Sequence, residues 1–158
     1  MIQRIQSLLL LAAVICSLLM LLIPCFYLEP VGDLPAEGYK ITLLRTTIFD
    51  GNTEKELLKN WPLFILNTLL SILYIGTIFD YRKRLRQIKT CQVIFLFQIA
   101  LILLLYYQWK QLAVIATQHV FAPGWGIAFL VTSIVFVSSA RYFILKDEAL
   151  VRSADRLR

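Results

Sequence analysis

The chain has 158 residues, 59% of them hydrophobic and only 16% charged, with a net charge of +6 and a pI near 9.4. An average globular domain carries roughly 25% charged residues, and here the deficit is concentrated in long uncharged blocks with charges crowded between them. That pattern excludes a soluble enzyme core and a nucleic-acid binder; the positive excess reads instead as Lys and Arg retained on the cytoplasmic side of a membrane.

A bilayer-crossing helix needs about 20 mostly apolar residues. The first such segment runs from about residue 5 to 28, uncharged between Arg4 and Glu29. It is too long for the core of a signal peptide, and Pro24 directly before Cys25 fits a lipoprotein cleavage box poorly. The reading is an uncleaved anchor. Within it Ala13 and Ser17 form a small-xxx-small pair suited to close helix approach.

An outer loop of residues 29–60 follows, the only extramembrane segment long enough for structure of its own. Pro30, Gly32, Pro35 and Gly38 make its first part turn-rich. Tyr39 to Phe49 reads as extended, and Asp50-Gly51 as a turn. Thr53 with Glu56 matches a capping box opening a short helix toward Lys59. The loop is either a small folded cap or a connector. Asn60 and Pro62 suit the start of the second span, residues 61–79.

The inner loop, residues 80–89, holds Arg82, Lys83, Arg84, Arg86 and Lys89 with Asp80 at its edge, and belongs on the cytoplasmic side. The third span covers about 90–109 and the fourth about 125–145, separated by a moderately polar outer loop that Pro123-Gly124 closes. In that loop Leu112 to Ala116 reads as an interfacial turn or an extension of the third helix. Four spans place both termini inside. Trp61, Trp109 and Trp125 then fall at the outer ends of their spans, where amphipathic rings anchor. The tail, 146–158, lacks Gly and Pro and is expected to continue the fourth helix, with Glu148–Arg152 and Asp155–Arg158 pairs and a narrow stripe of Leu150, Ala154 and Leu157. The expected fold is therefore all-α: a four-helix bundle, both ends cytoplasmic, with a small folded outer loop between helices 1 and 2.

Ionisable residues deep in a membrane are functional candidates, and Arg141 is the one that qualifies; it either snorkels to the headgroups or pairs, with Asp80 as the nearest partner in the pattern. Asn67, Ser71, Gln98 and Thr132 are intramembrane polar groups, either interhelical glue or the lining of a small ligand site. His119, the single histidine, reads as an ordinary interfacial residue. Cys16, Cys25 and Cys91 form no Cys-x-x-Cys pair and read as buried small hydrophobes. No phosphate loop, zinc-protease helix or Ser-His-Asp set is recognisable, and no cofactor is expected.

The opening Met1-Ile2-Gln3-Arg4-Ile5-Gln6-Ser7, the closing Lys146 to Arg158, and the basic segment Arg82 to Cys91 resemble the four-helix integral membrane family of Bacteroidota termed domain of unknown function 4293. The resemblance implies a multi-pass protein of a bacterial inner membrane and brings no reaction, cofactor or catalytic residue. The expected function is a non-enzymatic accessory or scaffold subunit that meets other inner-membrane subunits, or a second copy, through Arg82, Lys83, Arg84, Arg86, Lys89, Glu148, Arg152, Asp155 and Arg156. The alternative is a small transporter or a bundle binding a lipid or quinone-like ligand at Asn67, Ser71, Gln98 and Thr132.

Overall fold

The structure is a computed structural model and describes residues 2–30, 38–50, 53–81, 83–115 and 119–156. Four helices form its body: α1 (Ile2–Leu22), α2 (Trp61–Phe79), α3 (Arg84–Ile115) and α4 (Trp125–Arg156). Each contains a stretch long and apolar enough to cross a membrane. They close into a ring in chain order, with α1 packed against both α2 and α4 and α3 against α2 and α4. Large apolar side chains also point outward from every helix, among them Leu8, Ile65, Leu96 and Val135. A helix that is hydrophobic all round is buried in protein or in lipid.

The bundle is not the whole fold, and the all-α expectation is corrected here. Five strands, β1 (Phe26–Pro30), β2 (Gly38–Ile41), β3 (Arg45–Asp50), β4 (Thr53–Lys59) and β5 (His119–Pro123), make one antiparallel sheet in the order β4-β3-β2-β1-β5. It roofs the end of the bundle where α1 and α3 finish and α2 and α4 begin. The first expected span is accordingly shorter, because Pro24 cannot continue the helix and Phe26-Tyr27-Leu28 turns to strand. In β1 the residues alternate, Phe26 and Leu28 buried against the bundle, Glu29 exposed. Phe26 pairs with Ile41 on one side and with Pro123 on the other.

Residues 31–37, with Gly32 and Pro35, and Gly51 lie outside the described residues. The expected short helix from Thr53 is also corrected: Thr53–Lys59 is the edge strand of the sheet, in register with β3 from Asp50↔Thr53 to Arg45↔Lys59, with a bulge at Thr46/Thr47. The ladder to β3 satisfies its backbone groups better than an isolated helical turn could. Its exposed Glu54, Lys55, Glu56 and Lys59 blunt the open edge. Lys40–Glu54 at 3.1 Å and Arg45–Glu56 pair across the sheet, both exposed and of little energetic weight.

The joint between sheet and bundle is backbone on backbone. Cys25 N–H donates to Ile41 O (2.8 Å), Gly124 N–H to Cys25 O (2.9 Å) and Gly126 N–H to Pro24 O (2.9 Å). Cys25 is fully buried at this joint, and burial pushes its thiol up to about 12. The β2–β3 hairpin turns tightly between Thr42 and Arg45, with Thr42 N–H donating to Arg45 O. Its tip residue Leu43 is fully buried and Leu44 is not.

Two further boundaries move. α3 begins at Arg84, not Thr90, so most of the expected inner loop is helix, and it runs on to Ile115. α4 continues unbroken through the tail to Arg156, as its composition leads one to expect.

Candidate functional site

Most of the intramembrane polar set is spoken for. Ser17 Oγ donates to Asn67 Oδ1 (3.0 Å), Asn67 Nδ2 donates to Ser17 O (3.0 Å), and the Ser17 and Ser71 hydroxyls lie 2.8 Å apart. Ala13 and Ser17 are both buried, and Ser17 of this small pair faces α2 through these bonds. Gln98 Nε2 of α3 donates to Tyr74 Oη of α2 (3.0 Å) and to Ser133 Oγ of α4 (3.3 Å). Gln98 Oε1 has no partner among the described residues. Thr132 joins neither group: it is exposed on α4 and its hydroxyl donates to Ala128 O at 2.7 Å. These residues therefore do not converge on a cavity, which corrects their grouping as one site. Tyr74, which sequence reasoning left out, completes the second cluster; an aromatic hydroxyl inside an apolar span was the available signal.

At the basic end, opposite the sheet, the helices are tied together. Gln6 Nε2 donates to Asp147 Oδ2 at 2.7 Å, joining α1 to α4, and Arg84 Nη1 reaches Asp147 O at 3.4 Å. Gln87 Nε2 donates to Thr77 O at 2.9 Å. Asp80 lies 3.5 Å from Arg86, so the Asp80–Arg141 pairing does not form. Lys83, Arg86 and Lys89 are exposed; Arg84 is partly used internally, and Glu148 is half-buried. Arg82 lies outside the described residues. So do the side chains of Arg152, Asp155 and Arg156, whose backbone is helical. Gln6 and Asp147 were not among the expected residues, because a contact between chain ends leaves no local pattern.

A sizeable concavity lies elsewhere, at the sheet end between α3 and α4. It is an open groove of about 480 Å³ whose walls include Leu105, Trp109, Leu130 and Val131, roofed by Phe26 of β1 and Phe121 of β5. Small-molecule sites commonly fall between about 300 and 1,000 Å³. Aromatic rings line it in sequence: Tyr106 to Trp109 at 5.5 Å, Trp109 to Phe121 at 6.0 Å, Phe121 to Phe26 at 6.0 Å. Trp109 Nε1 is withheld from solvent and has no acceptor among the described residues. From Trp109 down to Ile102 the groove extends about 10 Å along α3 at 1.5 Å per residue. None of its residues was in the expected site. Its roof comes from two strands that the all-α reading did not contain. His119, expected in a loop, sits in β5 with its ring edge-on to Tyr39 at 5.4 Å. Among the described residues no His, Cys, Asp or Glu cluster of metal-ligating size occurs, and all three thiols are unbridged and buried.

Fold and groove together define a ring of four apolar helices roofed by an antiparallel sheet drawn from both inter-helix loops on that side. The family model described as domain of unknown function, DUF4293, matches residues 2–157, and the chain belongs to that family. A search of curated proteins finds no match.

Proposed function

We propose that this is a multi-pass protein of a bacterial inner membrane, both termini cytoplasmic, that works by binding and not by catalysis, holding the hydrocarbon chain of a membrane lipid in the α3–α4 groove. The observation that carries the reading is the groove itself: about 480 Å³ with walls that are apolar throughout. A cavity of that character stays dry, and an acyl chain is the apolar material available beside it. Membrane placement draws support from the outward-facing apolar residues of all four helices, from basic residues gathered at one end, and from Trp61 and Trp125 exposed at the other.

A lipid carrying a photoactivatable group on its acyl chain tests this. Adducts should concentrate on Ile102, Tyr106 and Val131, and Val131→Trp, which fills the groove from an exposed position, should reduce them several-fold. Labelling spread equally over Leu8, Leu11 and Ile15 of α1, and indifferent to Val131→Trp, would sink the groove as a site.

A second reading, an accessory subunit docking through its cytoplasmic face, is favoured by helix length. α3 and α4 have 32 residues each, about 48 Å, against a hydrocarbon core of roughly 30 Å. The excess at the basic end presents Leu85, Leu150 and Val151 exposed beside Lys83 and Arg86. Truncation after Ala149 spares the Gln6–Asp147 tie. On this reading the shortened chain still accumulates in the membrane but loses a crosslinked partner that the full chain captures. An unchanged crosslinking pattern removes the tail from consideration.

A further inference from the structure

Arg141 is the charged residue of α4 set well inside its apolar stretch, and among the described residues it has neither hydrogen bond nor ion pair; its Nε is buried without an acceptor. Burying an unpaired charge is costly enough that such groups are normally matched by a counter-charge. By helical spacing Arg141 falls on the same side of α4 as Ile127, which lines the α3–α4 groove, and hence toward the α3–α4 seam.

Six residues further along the same seam, Arg84 of α3 meets α4 at Asp147, through a carbonyl oxygen at 3.4 Å. The acids nearby are engaged: the Asp147 carboxylate accepts from Gln6, the Asp80 carboxylate faces Arg86, and half-buried Glu148 has an interaction of its own. Lys83, Lys89 and Lys146 are exposed at the same end of the bundle. The seam thus offers two guanidinium groups and a basic collar to an anion that must arrive at membrane depth.

We propose that Arg141 and Arg84 bind the phosphate of an anionic phospholipid of the cytoplasmic leaflet in the α3–α4 seam. The guanidinium fork suits phosphate oxygens in paired hydrogen bonds. The surrounding Lys residues favour a headgroup with net negative charge over a zwitterionic one. This rests on the membrane placement above and is independent of the groove, which lies at the opposite end of the same two helices.

The test uses the full-length protein extracted from bilayers containing phosphatidylglycerol and phosphatidylcholine of identical chains, with retained lipid read by native mass spectrometry. The wild type should favour phosphatidylglycerol, Arg141→Gln should lower that preference roughly fivefold, Arg141→Lys should restore part of it, and Leu8→Ala, on the outward side of α1, should leave it unchanged. Equal retention of the two lipids by the wild type, or an Arg141→Gln variant as selective as the wild type, overturns the proposal. Loss of the phosphatidylglycerol preference in Val131→Trp assigns the selective lipid to the groove and overturns it too. If Arg141→Gln does not fold, the wild type decides alone: its melting temperature must rise when phosphatidylglycerol replaces phosphatidylcholine, and no rise refutes the site.

Discussion

Gly124→Ala is expected to lower the unfolding midpoint by roughly 6–12 °C, for a cost of about 3 kcal/mol. A Cβ at Gly124 would stand 2.3 Å from Pro24 O and 3.0 Å from Cys25 O; one at Gly126 would stand 2.8 Å from Pro24 O. Both neighbours are backbone, so no side chain can swing aside. The chain must move apart at the point where Gly124 N–H and Gly126 N–H donate to Cys25 and Pro24, and each lost bond adds about 1 kcal/mol. Gly76, in the last turn of α2, has nothing within 4 Å of where its Cβ would be, and Ala there should be neutral or stabilising by up to about 1 kcal/mol. Thermal melts of the three variants in detergent should rank Gly124→Ala below Gly126→Ala and Gly126→Ala below Gly76→Ala. Equal melting of Gly124→Ala and wild type would mean that the sheet does not sit this close to the start of α4.

The second large effect is expected at Asn60. It precedes α2 and looks in the sequence like an ordinary N-cap. Its side chain, however, makes no capping bond to α2. It is buried and turned back to the sheet, where Nδ2 donates to Thr42 O (2.9 Å) and Thr46 Oγ1 (3.1 Å). Its own N–H donates to Leu44 O at 3.0 Å. Asn60 therefore holds the β2–β3 hairpin against the entry to α2. Asn60→Ala leaves a carbonyl and a hydroxyl unpaired in a buried place, about 2–3 kcal/mol in all. Asn60→Asp is the sharper test. At a true N-cap Asp serves as well as Asn, but here a carboxylate cannot donate to Thr42 O and sets negative charge against it. Melts should find Asn60→Asp at least as destabilised as Asn60→Ala; an Asp variant near wild type would restore the simple capping role.

What could be read from the sequence was what is local and strongly periodic. The four apolar stretches, the unbroken tail helix and the placement of Trp61 and Trp125 at helix starts all follow from composition over a short window. The sheet did not, for three separate reasons. Phe26-Tyr27-Leu28 continues an apolar run, and only its pairing with Ile41 and Phe121 makes it a strand. Thr53 to Lys59 has helix-forming residues and a capping-box spacing, yet its register with β3 prevails. His119 to Pro123 is too short to announce itself and becomes a strand only because β1 lies beside it. The sites followed the same rule. Asn67 and Ser71 share a helix face and were legible as a polar patch, but their partner Ser17 was visible only as a small residue. Gln6–Asp147 joins the two ends of the chain. The groove required β1, β5, α3 and α4 to be in place at once. Membership of the family was legible because the resemblance lies in contiguous segments at the basic end and the termini.

The strand order bears on how the molecule is made. A ribosome delivers α1, then β1 to β4, then α2, well before β5 and α4 exist. During that interval α1 and α2 can already satisfy one another through Ser17, Asn67 and Ser71, and β1 to β4 can pair among themselves. One edge of β1 stays open, and Gln6 stays without Asp147, until the last quarter of the chain is in place. Synthesis therefore ends with two closures, one at each end of the bundle, both made by the same final segment. A chain halted after α3 would expose an unpaired edge of β1 at one end and the α4-facing side of α1 along its length.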